Sequence, residues 1–266
     1  MKFQEQVLLG KTGLRVGRLG IATGYGAPAV AVEEAFERGC NYMTWGTFIK
    51  GFSNSMREAI RTIVSKGRRE ELVLAMFSYA HQSFLTEHFL RKGLKSAGTD
   101  YADVLILGYF SRRPSQRLID GAIRLKEKGL VRYLGISGHN RKLFPRLAEE
   151  DVFDVFHIRY NAVHTGAETD IFPYLKGQPG PGIINFTATA WNKLLNPKKM
   201  PAGEKAPTAA DCYRFVLSHP AVDVCMTGTK TVEQMRENLA VLEQGPMTDE
   251  ELKRMRRIGD HIYGRR

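Results

Sequence analysis

The sequence has no hydrophobic run long enough to form a membrane-spanning helix. Its 266 residues are 43% hydrophobic and 25% charged, whereas crossing a bilayer takes roughly 20 consecutive apolar residues. The first ten residues include Lys2 and Glu5 and no apolar core, so we expect neither a secretion signal nor a membrane anchor. This composition favours a globular cytoplasmic protein with one domain over residues 1–266.

Cysteine is scarce, which excludes two kinds of structural cross-link. The three cysteines are Cys40, Cys212 and Cys225, an odd and scattered set that does not form a disulfide framework. No Cys/His spacing resembles a metal site. Because each cysteine lies in or beside an apolar segment, we interpret them as buried thiols in a reducing compartment.

The chain is basic but lacks the sequence features of nucleic-acid-binding proteins. Its net charge is +11, and the lysines and arginines are spread over many predicted helices without a long basic tail or interleaved aromatic residues. We interpret the charge as solvated basic faces and expect no nucleic-acid partner. A small anionic ligand remains compatible with this charge.

Short apolar runs alternate with longer amphipathic segments along the whole chain. Eight nearly continuous apolar runs are typical of parallel strands buried on both faces; they lie at residues 19–23, 41–45, 72–77, 103–108, 132–137, 154–159, 182–187 and 222–227. The segments between them predict helices, several of which end at glycine, at residues 29–39, 53–67, 85–98, 114–129, 141–150, 167–176, 208–219 and 231–243. Eight such units predict an α/β fold, a closed (β/α)8 TIM barrel, with a doubly wound open sheet as the alternative.

Further elements flank and interrupt these units. Residues 7–9 and 14–16 predict an N-terminal β-hairpin that plugs the N-terminal mouth of the barrel. Residues 249–263 predict an extra C-terminal helix that opens on a capping box. Residues 194–207, rich in Pro, Lys and Gly, predict a long loop or lid. The first predicted helix does not open on Gly-x-Gly-x-x-Gly, the dinucleotide fingerprint of open sheets, which favours the barrel.

The eighth predicted strand ends at a sequence suited to phosphate. Thr227-Gly228-Thr229-Lys230 precedes a helix that begins at Thr231, where Thr231 and Gln234 match a capping box. Helix N-termini offer free N–H groups and a positive dipole end, and this is the usual phosphate site of such barrels. Lys230 adds charge, and Arg236 is a second candidate. The alternative is that Thr231 only caps a helix and Lys230 is a surface lysine.

Three parts of the sequence resemble the aldo-keto reductase family. Residues 9–16 resemble the family's N-terminal hairpin, residues 129–137 its fifth strand, and residues 215–222 with 228–239 its closing cofactor segment. The resemblance covers nearly the whole chain in order, and the last motif is the most specific. It implies a barrel that binds NADP(H) or NAD(H) without a Rossmann domain and acts on a small-molecule substrate.

The resemblance also implies cofactor contacts residue by residue. At the adenosine end these are Gly228, Thr229, Lys230, Gln234, Glu237 and Asn238. At the nicotinamide end they are Ser137 and His157 on the carboxamide, Phe186 on the ring, and Thr187 at the start of the pyrophosphate loop. Gly138 and His157 replace the family's usual Asn and Gln, although a histidine still makes one hydrogen bond. Lys230 favours NADP(H), while Gln234 replaces an arginine that often clamps the 2′-phosphate, so NAD(H) stays possible.

The family's catalytic tetrad is missing from this sequence. The family uses Asp, Tyr, Lys and His at four strand ends, with Tyr as the proton donor. The matching positions hold Thr44, Ile49 (or, with a one-residue slip, Lys50), Phe77 and Gly108. A positioned general acid contributes roughly 100- to 10,000-fold in rate, and such residues act as a unit. Reduction by the family's own route is therefore not expected.

Other side chains follow the predicted strand ends, where residues of a barrel form the active site. The candidates for a substitute acid or base are Tyr79, Tyr109, His139 and Tyr160. Trp45 would present an aromatic face, and an arginine such as Arg159 could hold an acidic substrate. The alternative is structural: wall tyrosines, a core histidine at His157, and an Arg159–Glu168 pair.

Three functions follow from this pattern. The first is an atypical NADP(H)-dependent oxidoreductase with a non-standard proton donor, and it leads narrowly. The second is a catalytically silent NADP(H)-binding barrel, because the cofactor motif is kept and the tetrad is lost. The third is a cofactor-free lyase or isomerase that uses the same mouth through His139, Tyr160 and Glu168. Neither the substrate nor the oligomeric state follows from the sequence.

Overall fold

Eight parallel strands close into a barrel in the computed structural model, which describes residues 2–47, 53–175 and 180–264. The strands are β3 (Leu19–Ile21), β4 (Tyr42–Trp45), β5 (Val73–Ser78), β6 (Ala102–Leu107), β7 (Val131–Gly138), β8 (Val155–Arg159), β9 (Gly182–Phe186) and β10 (Val224–Thr227). Strand β10 pairs with both β9 and β3, so the sheet has no free edge. The predicted (β/α)8 barrel is confirmed, and the open sheet is excluded.

The N-terminal hairpin closes the bottom of the barrel, as predicted. Strands β1 (Val7–Leu8) and β2 (Arg15–Val16) pair antiparallel, and the residue after β1, Leu9, is fully buried among inward-facing barrel residues. A Cβ at Gly182 would lie 2.4 Å from the Leu9 side chain. The plug therefore requires glycine where β9 begins.

Helices surround the barrel at the predicted places: α1 (Ala29–Glu37), α2 (Asn54–Ser65), α3 (Ser83–Ala97), α4 (Gln116–Glu127), α5 (Leu143–Glu150), α6 (Ala167–Asp170), α7 (Ala209–Leu217), α8 (Val232–Leu239) and α9 (Asp249–Tyr263). Helix α9 is the predicted C-terminal helix, and its capping box between Thr248 and Glu251 forms in both directions. Glycines with positive φ follow α1 to α4, at Gly39, Gly67, Gly98 and Gly129.

The single helix predicted over residues 167–176 is wrong. Helix α6 ends at Asp170, and a separate 3-10 turn covers Phe172–Leu175. Pro173 explains the break, because proline disfavours helical backbone at the preceding residue and lacks an N–H to bond back. The last predicted residue of that helix lies outside the described residues.

Polar side chains at the starts of alternate strands fasten the N-terminal end of the barrel. Asp103, Asp154 and Asp223 accept hydrogen bonds of 2.8–2.9 Å from the backbone N–H groups of Leu74, Leu134 and Ile183, each on the preceding strand. Asn41 accepts from Gly17 N–H at 3.0 Å in the same way. Residues at the N-terminal end of a barrel usually contribute to stability, here by fixing the register of the strands. The carboxyl end is the usual place for ligands.

Alternation along the strands decides which side chains reach the opposite mouth. Tyr42, Ala75, Ile106, Val155, Ile184 and Val224 belong to the inner core. Side chains two positions further along each strand therefore also face inward, nearer the carboxyl ends. These positions include Thr44, Phe77, His157 and Phe186.

Other sequence-based expectations concern buried thiols and membranes. All three cysteines are free and buried, as predicted. Among the described residues, no helix has the length and apolar character needed to cross a membrane. The described residues also contain no group of three or more His, Cys, Asp or Glu side chains that could hold a metal ion.

Candidate active site

A cleft of about 950 Å³ opens at the carboxyl end of the barrel. It lies between the loops after β3 and β9, the end of β10, and helices α7 and α8. Seven residues predicted to bind cofactor line it: Thr187, Gly228, Thr229, Lys230, Gln234, Glu237 and Asn238. The volume lies at the upper end of the range for small-molecule sites, so an elongated nucleotide is a ligand of suitable size.

The cleft contains a buried hydroxyl with no partner. Thr229 is 3% exposed, and its Oγ1 has no hydrogen-bond partner among the described residues. Leaving such a group unbonded costs about 1–3 kcal/mol. Beside it, Gly228 lies under the ring of Tyr25, where any Cβ would come within 2.4 Å of a ring carbon. The Tyr25 ring thus packs directly on the Gly228 backbone, and the Thr229 hydroxyl is a group that a ligand in the cleft could bond.

The amide groups at the start of α8 are arranged differently from the prediction. Thr231 caps the helix by accepting from Gln234 N–H at 3.2 Å. The Gln234 side chain does not return to Thr231 but accepts from the backbone N–H of Lys230 at 2.9 Å. Arg236 points away from the corner and pairs with Glu34 on α1 at 2.8 Å. Lys230 is therefore the cation that the described lining of the cleft offers to a phosphate.

Asn238 belongs to a buried hydrogen-bond network at the far end of the cleft. Its amide nitrogen donates to Thr227 Oγ1 at 2.9 Å and to the Tyr213 hydroxyl at 3.3 Å, and the two hydroxyls lie 2.9 Å apart. This network connects α7, α8 and the end of β10. Glu237, one residue earlier, is exposed, so the two predicted adenine contacts differ in burial.

Ser137, His157 and Phe186, the other three predicted cofactor contacts, are not among the residues that line this cleft; they lie towards the carboxyl ends of β7, β8 and β9. Ser137 and His157 are partners in the β7–β8 register, and both are 1% exposed. His157 Nε2 lies 2.7 Å from the Tyr42 hydroxyl, and burial lowers the pKa of His157 to about 3. The ring is thus neutral at physiological pH and has Nδ1 left for a ligand.

The chain after β9 takes an unusual backbone path into the cleft. Thr187 has φ +62°, and Ala190, Trp191 and Asn192 form a run at +51° to +64°. Left-handed backbone costs roughly 1–2 kcal/mol for each non-glycine residue. The Asn161 amide nitrogen donates to the Thr187 carbonyl at 2.8 Å and so supports this turn. Strain of this kind is found at functional sites.

Aromatic rings form a stack across the other side of the mouth. Phe77, Tyr79, Tyr109 and His139 follow one another with ring centroids 5.3–5.8 Å apart and interplanar angles of 10–14°. His139 then meets Phe186 edge-on at 5.4 Å. Three predicted catalytic residues, Tyr79, Tyr109 and His139, are thus brought together beside a predicted nicotinamide contact.

The electrostatics of this aromatic stack favour neutral groups. Burial raises the pKa of Tyr79, as does the nearby Tyr109, which also forms a hydrogen bond with it. Burial and the positive charge of Arg159 lower the pKa of His139 below 6.5. Tyr109 is 57% exposed and has φ +53°, so it is the tyrosine of the pair that reaches the open mouth.

The structure does not bring Tyr160 to the same place. Tyr160 is 1% exposed and packs between Phe172 and Phe215, outside the barrel. Its hydroxyl donates to Glu168 at 2.6 Å. The expected Arg159–Glu168 pair does not form either, because Glu168 pairs with Arg256 at 3.0 Å.

The aromatic face expected from Trp45 is also absent from the mouth. Trp45 is buried at 3% exposure and donates from Nε1 to the Ser53 carbonyl at 3.2 Å. Its neighbour Thr44 faces inward, so alternation directs Trp45 towards α2. Trp191, on the strained turn, supplies an exposed aromatic face instead.

Comparison with known proteins identifies the family. The model of the Aldo/keto reductase family matches residues 28–211 and 197–260, which together cover most of the chain. The chain belongs to the aldo/keto reductase family. The curated relative YqkF of Bacillus subtilis (strain 168), described as an uncharacterized oxidoreductase, is 21% identical over 261 residues, 84% of each chain.

Solved members of the aldo/keto reductase family share the fold. Aldo-keto reductase AKR11C1 from Bacillus halodurans, in its holo form, aligns with TM-score 0.77 at 19% identity over 96% of each chain. An aldo/keto reductase from Klebsiella pneumoniae, in complex with NADP and acetate, aligns with TM-score 0.76 at 17% identity over 98% of this chain and 96% of that one. At these identities the likeness concerns the fold.

The described positions that the resemblance matches to the aldo/keto reductase tetrad are packed with uncharged side chains. A Cβ at Gly108, matched to the histidine, would lie 2.4 Å from the Tyr79 ring. Phe77, matched to the lysine, stacks on Tyr79 with ring centroids 5.6 Å apart. Thr44 makes a long 3.5 Å contact with the Ile21 carbonyl. The tyrosine position, Ile49 or Lys50, lies outside the described residues.

Sequence reasoning missed Tyr25, which lines the cleft, and Thr23, two residues before it. Thr23 follows β3 and has a second buried Oγ1 with no partner among the described residues. Burial raises the pKa of Tyr25, and so does nearby Tyr109. Both residues come just after the first barrel strand, where position alone could have marked them as site residues.

Proposed function

We propose that this chain is an NADP(H)-dependent oxidoreductase in which Tyr109, supported by Tyr79, replaces the proton donor of the tetrad. The observation that carries the proposal is the unpartnered Thr229 hydroxyl in a cleft lined by the family's cofactor segment. A family relative from Klebsiella pneumoniae described in complex with NADP supports it. A reduced nicotinamide bound in this cleft would supply a hydride to a carbonyl or imine carbon.

The residues of the cleft fit such a cofactor. Thr229, Gly228 and the start of α8 would hold the phosphate or ribose at the adenosine end, and Lys230 would favour NADP(H) over NAD(H). Asn238 has its amide oxygen left for adenine, since its nitrogen is bonded within the protein. Ser137 and His157 would orient the carboxamide, and Phe186 would pack against the ring.

Tyr109 is the best candidate for the general acid because its side chain is exposed at the mouth and is hydrogen-bonded to Tyr79. Its hydroxyl is bonded to Tyr79, which keeps its own proton because burial raises its pKa. As Tyr109 gives up a proton, Tyr79 can donate to the phenolate oxygen. His139, stacked on Tyr109 at 5.8 Å, holds that ring in place and is neutral at pH 7.

Calorimetric titration with NADPH and NADH tests the first step. We expect NADPH to bind more tightly than NADH. Absence of binding by either dinucleotide at millimolar concentration would contradict the proposal.

Turnover tests the second step, with aldehydes, ketones and imines as substrates and NADPH absorbance as the readout. Replacing Tyr109→Phe should lower kcat by about 100-fold and leave NADPH affinity unchanged. Tyr174→Phe makes the same chemical change at an exposed tyrosine on the Phe172–Leu175 turn and should alter neither. Equal activity in both variants would exclude Tyr109 as the donor.

The catalytically silent binder is the second candidate function. It is favoured by the filled tetrad positions, where Tyr79 covers Gly108. Tight NADPH binding without consumption of NADPH by any substrate would support it. The cofactor-free lyase or isomerase loses its motivation, because Tyr160 and Glu168 lie together away from His139.

A further inference from the structure

Arg159 is a charged residue at the mouth that the proposed cofactor site does not use. It is the last residue of β8 and the register partner of Phe186 on β9. Its guanidinium carbon lies 5.7 Å from the centre of the Trp191 ring. Arg159 is not among the residues that line the cofactor cleft, whereas Trp191 is. The guanidinium therefore borders the cleft from the β8 side.

The charge of Arg159 is not neutralised by a carboxylate. No Asp or Glu oxygen of the described residues lies within 4 Å of it. Its basic neighbour Arg141 is itself paired with Asp170 at 2.6 Å. Burial lowers the pKa of Arg159, and so does the nearby positive charge of Arg141. A partly desolvated cation with a second cation nearby is costly unless an anion joins it.

We propose that Arg159 binds an anionic group of the substrate, so that the substrates are carbonyl or imine compounds that bear a carboxylate. This inference rests on the proposed function. The guanidinium offers a planar fork of donors that matches a carboxylate. Trp191 supports one face of that fork, and the Tyr109–His139 stack provides an apolar wall for the rest of the molecule.

A binding experiment tests the anion site without requiring catalysis. The probes are benzoate and its neutral isostere benzamide, titrated with saturating NADP⁺ and without it. Tryptophan fluorescence reports binding, because Trp191 is 55% exposed and Trp45 is buried. The variants are Arg159→Gln, Arg159→Lys and, as a matched charge control, Arg124→Gln on the exposed face of α4.

We expect the wild-type protein to bind benzoate about tenfold more tightly than benzamide, or more, as is usual for hydrogen bonds to charged groups. Arg159→Gln should abolish this preference, Arg159→Lys should keep part of it, and Arg124→Gln should keep all of it. Thermal melting verifies that each variant is folded. Three results would overturn the inference: equal affinities in the wild type, an unchanged preference in Arg159→Gln, or displacement of benzoate by NADP⁺.

Kinetic measurements distinguish a failure of this inference from a failure of the proposed function. The substrates are para-carboxybenzaldehyde and its methyl ester, each with NADPH. We expect the carboxylate to have the lower KM, and Arg159→Gln to raise that KM about tenfold while the ester is unaffected. Turnover of both substrates without discrimination would refute the anion site and leave the oxidoreductase intact. Preferential benzoate binding without turnover of either aldehyde would support the anion site and contradict the oxidoreductase proposal.

Discussion

Several residues in the cleft have features that destabilise the free protein and that a bound ligand could compensate. Thr229 keeps a buried hydroxyl without a partner among the described residues, and Thr187 and residues 190–192 keep left-handed backbone. Each feature destabilises the free protein. Features of this kind are found where ligand binding offsets the free energy that they cost. Here they occur together around one cleft.

Replacing Thr229→Val should raise or preserve stability while weakening cofactor binding. Valine has nearly the same shape but no hydroxyl, so the unbonded group disappears. We expect the melting temperature to stay constant or rise, and NADPH affinity measured by calorimetry to fall about tenfold. Thr169→Val is the control, because its exposed hydroxyl bonds the Gly166 carbonyl at 3.1 Å; it should leave affinity unchanged. Wild-type affinity in Thr229→Val would contradict the assignment.

His157→Gln should flatten the dependence of stability on pH. The folded pKa of His157 is about 3, against about 6.5 in an unfolded chain. Between these values the unfolded chain takes up a proton that the folded protein does not, so stability falls as pH decreases from 6.5. The slope contributed by one such group is at most about 1.4 kcal/mol per pH unit.

Denaturant unfolding between pH 7 and pH 4 measures this slope. Glutamine does not titrate, so its free energy of unfolding should decrease less steeply than that of the wild type. His88→Gln, at an exposed position on α3, should follow the wild-type profile. Parallel profiles for all three proteins would show that His157 is not kept neutral by burial.

At the scale of elements, glycine ends the helices and polar residues fasten the strands. Asn41, Asp103, Asp154 and Asp223 hold the starts of β4, β6, β8 and β10 to neighbouring backbone. All four lie at the end of the barrel opposite the cleft. This division leaves the carboxyl-end loops, including the strained turn after β9, to shape a ligand site.

Gly129→Ala should destabilise the protein by about 1 kcal/mol. Gly129 follows α4 with φ +70°, and a Cβ there would meet no atom within 4 Å. The substitution therefore measures backbone strain without a steric clash. Gly129→Asn should cost less, because asparagine tolerates left-handed backbone better. Urea denaturation of both variants provides the comparison, and an alanine variant as stable as the wild type would contradict it.

At the scale of the whole molecule, the cleft joins segments far apart in the chain. Tyr25 comes from the loop after β3, Trp191 from the loop after β9, and Gln234 from α8. A ligand that contacts all three ties the first and last strands of the barrel together. Such a ligand stabilises the folded state in proportion to its affinity.

NADPH at about 100 times its dissociation constant should therefore stabilise the protein by about 2.7 kcal/mol. For a chain of this size, that corresponds to a rise in melting temperature of about 5–10 °C. Differential scanning fluorimetry measures the rise, and Thr229→Val at the same NADPH concentration should show a smaller one. The absence of any rise at millimolar NADPH would argue against the cofactor cleft.

The sequence alone determined the barrel, the hairpin plug, the helix ends at glycine and the family. These follow from local patterns: buried parallel strands are nearly continuous in apolar character, and glycine marks backbone that other residues avoid. The grouping of Gly228, Thr229, Lys230, Gln234, Glu237 and Asn238 along one cleft was also predictable, because these residues lie within one strand–loop–helix segment, 227–238. The break before Pro173 was not predicted, although proline interrupts helical hydrogen bonding.

The contacts among residues at the mouth could be seen only in the folded structure. Tyr109 and His139 come from different strands yet stack at 5.8 Å, whereas Tyr160 turns outward to Glu168 and Trp45 towards α2. A strand side chain changes face with every residue, so a position near a strand end does not reveal its direction. The contact between Tyr79 and Gly108 joins β5 to β6. The packing of Tyr79 on Gly108, and the lack of a carboxylate partner for Arg159 among the described residues, therefore became visible only in the closed barrel.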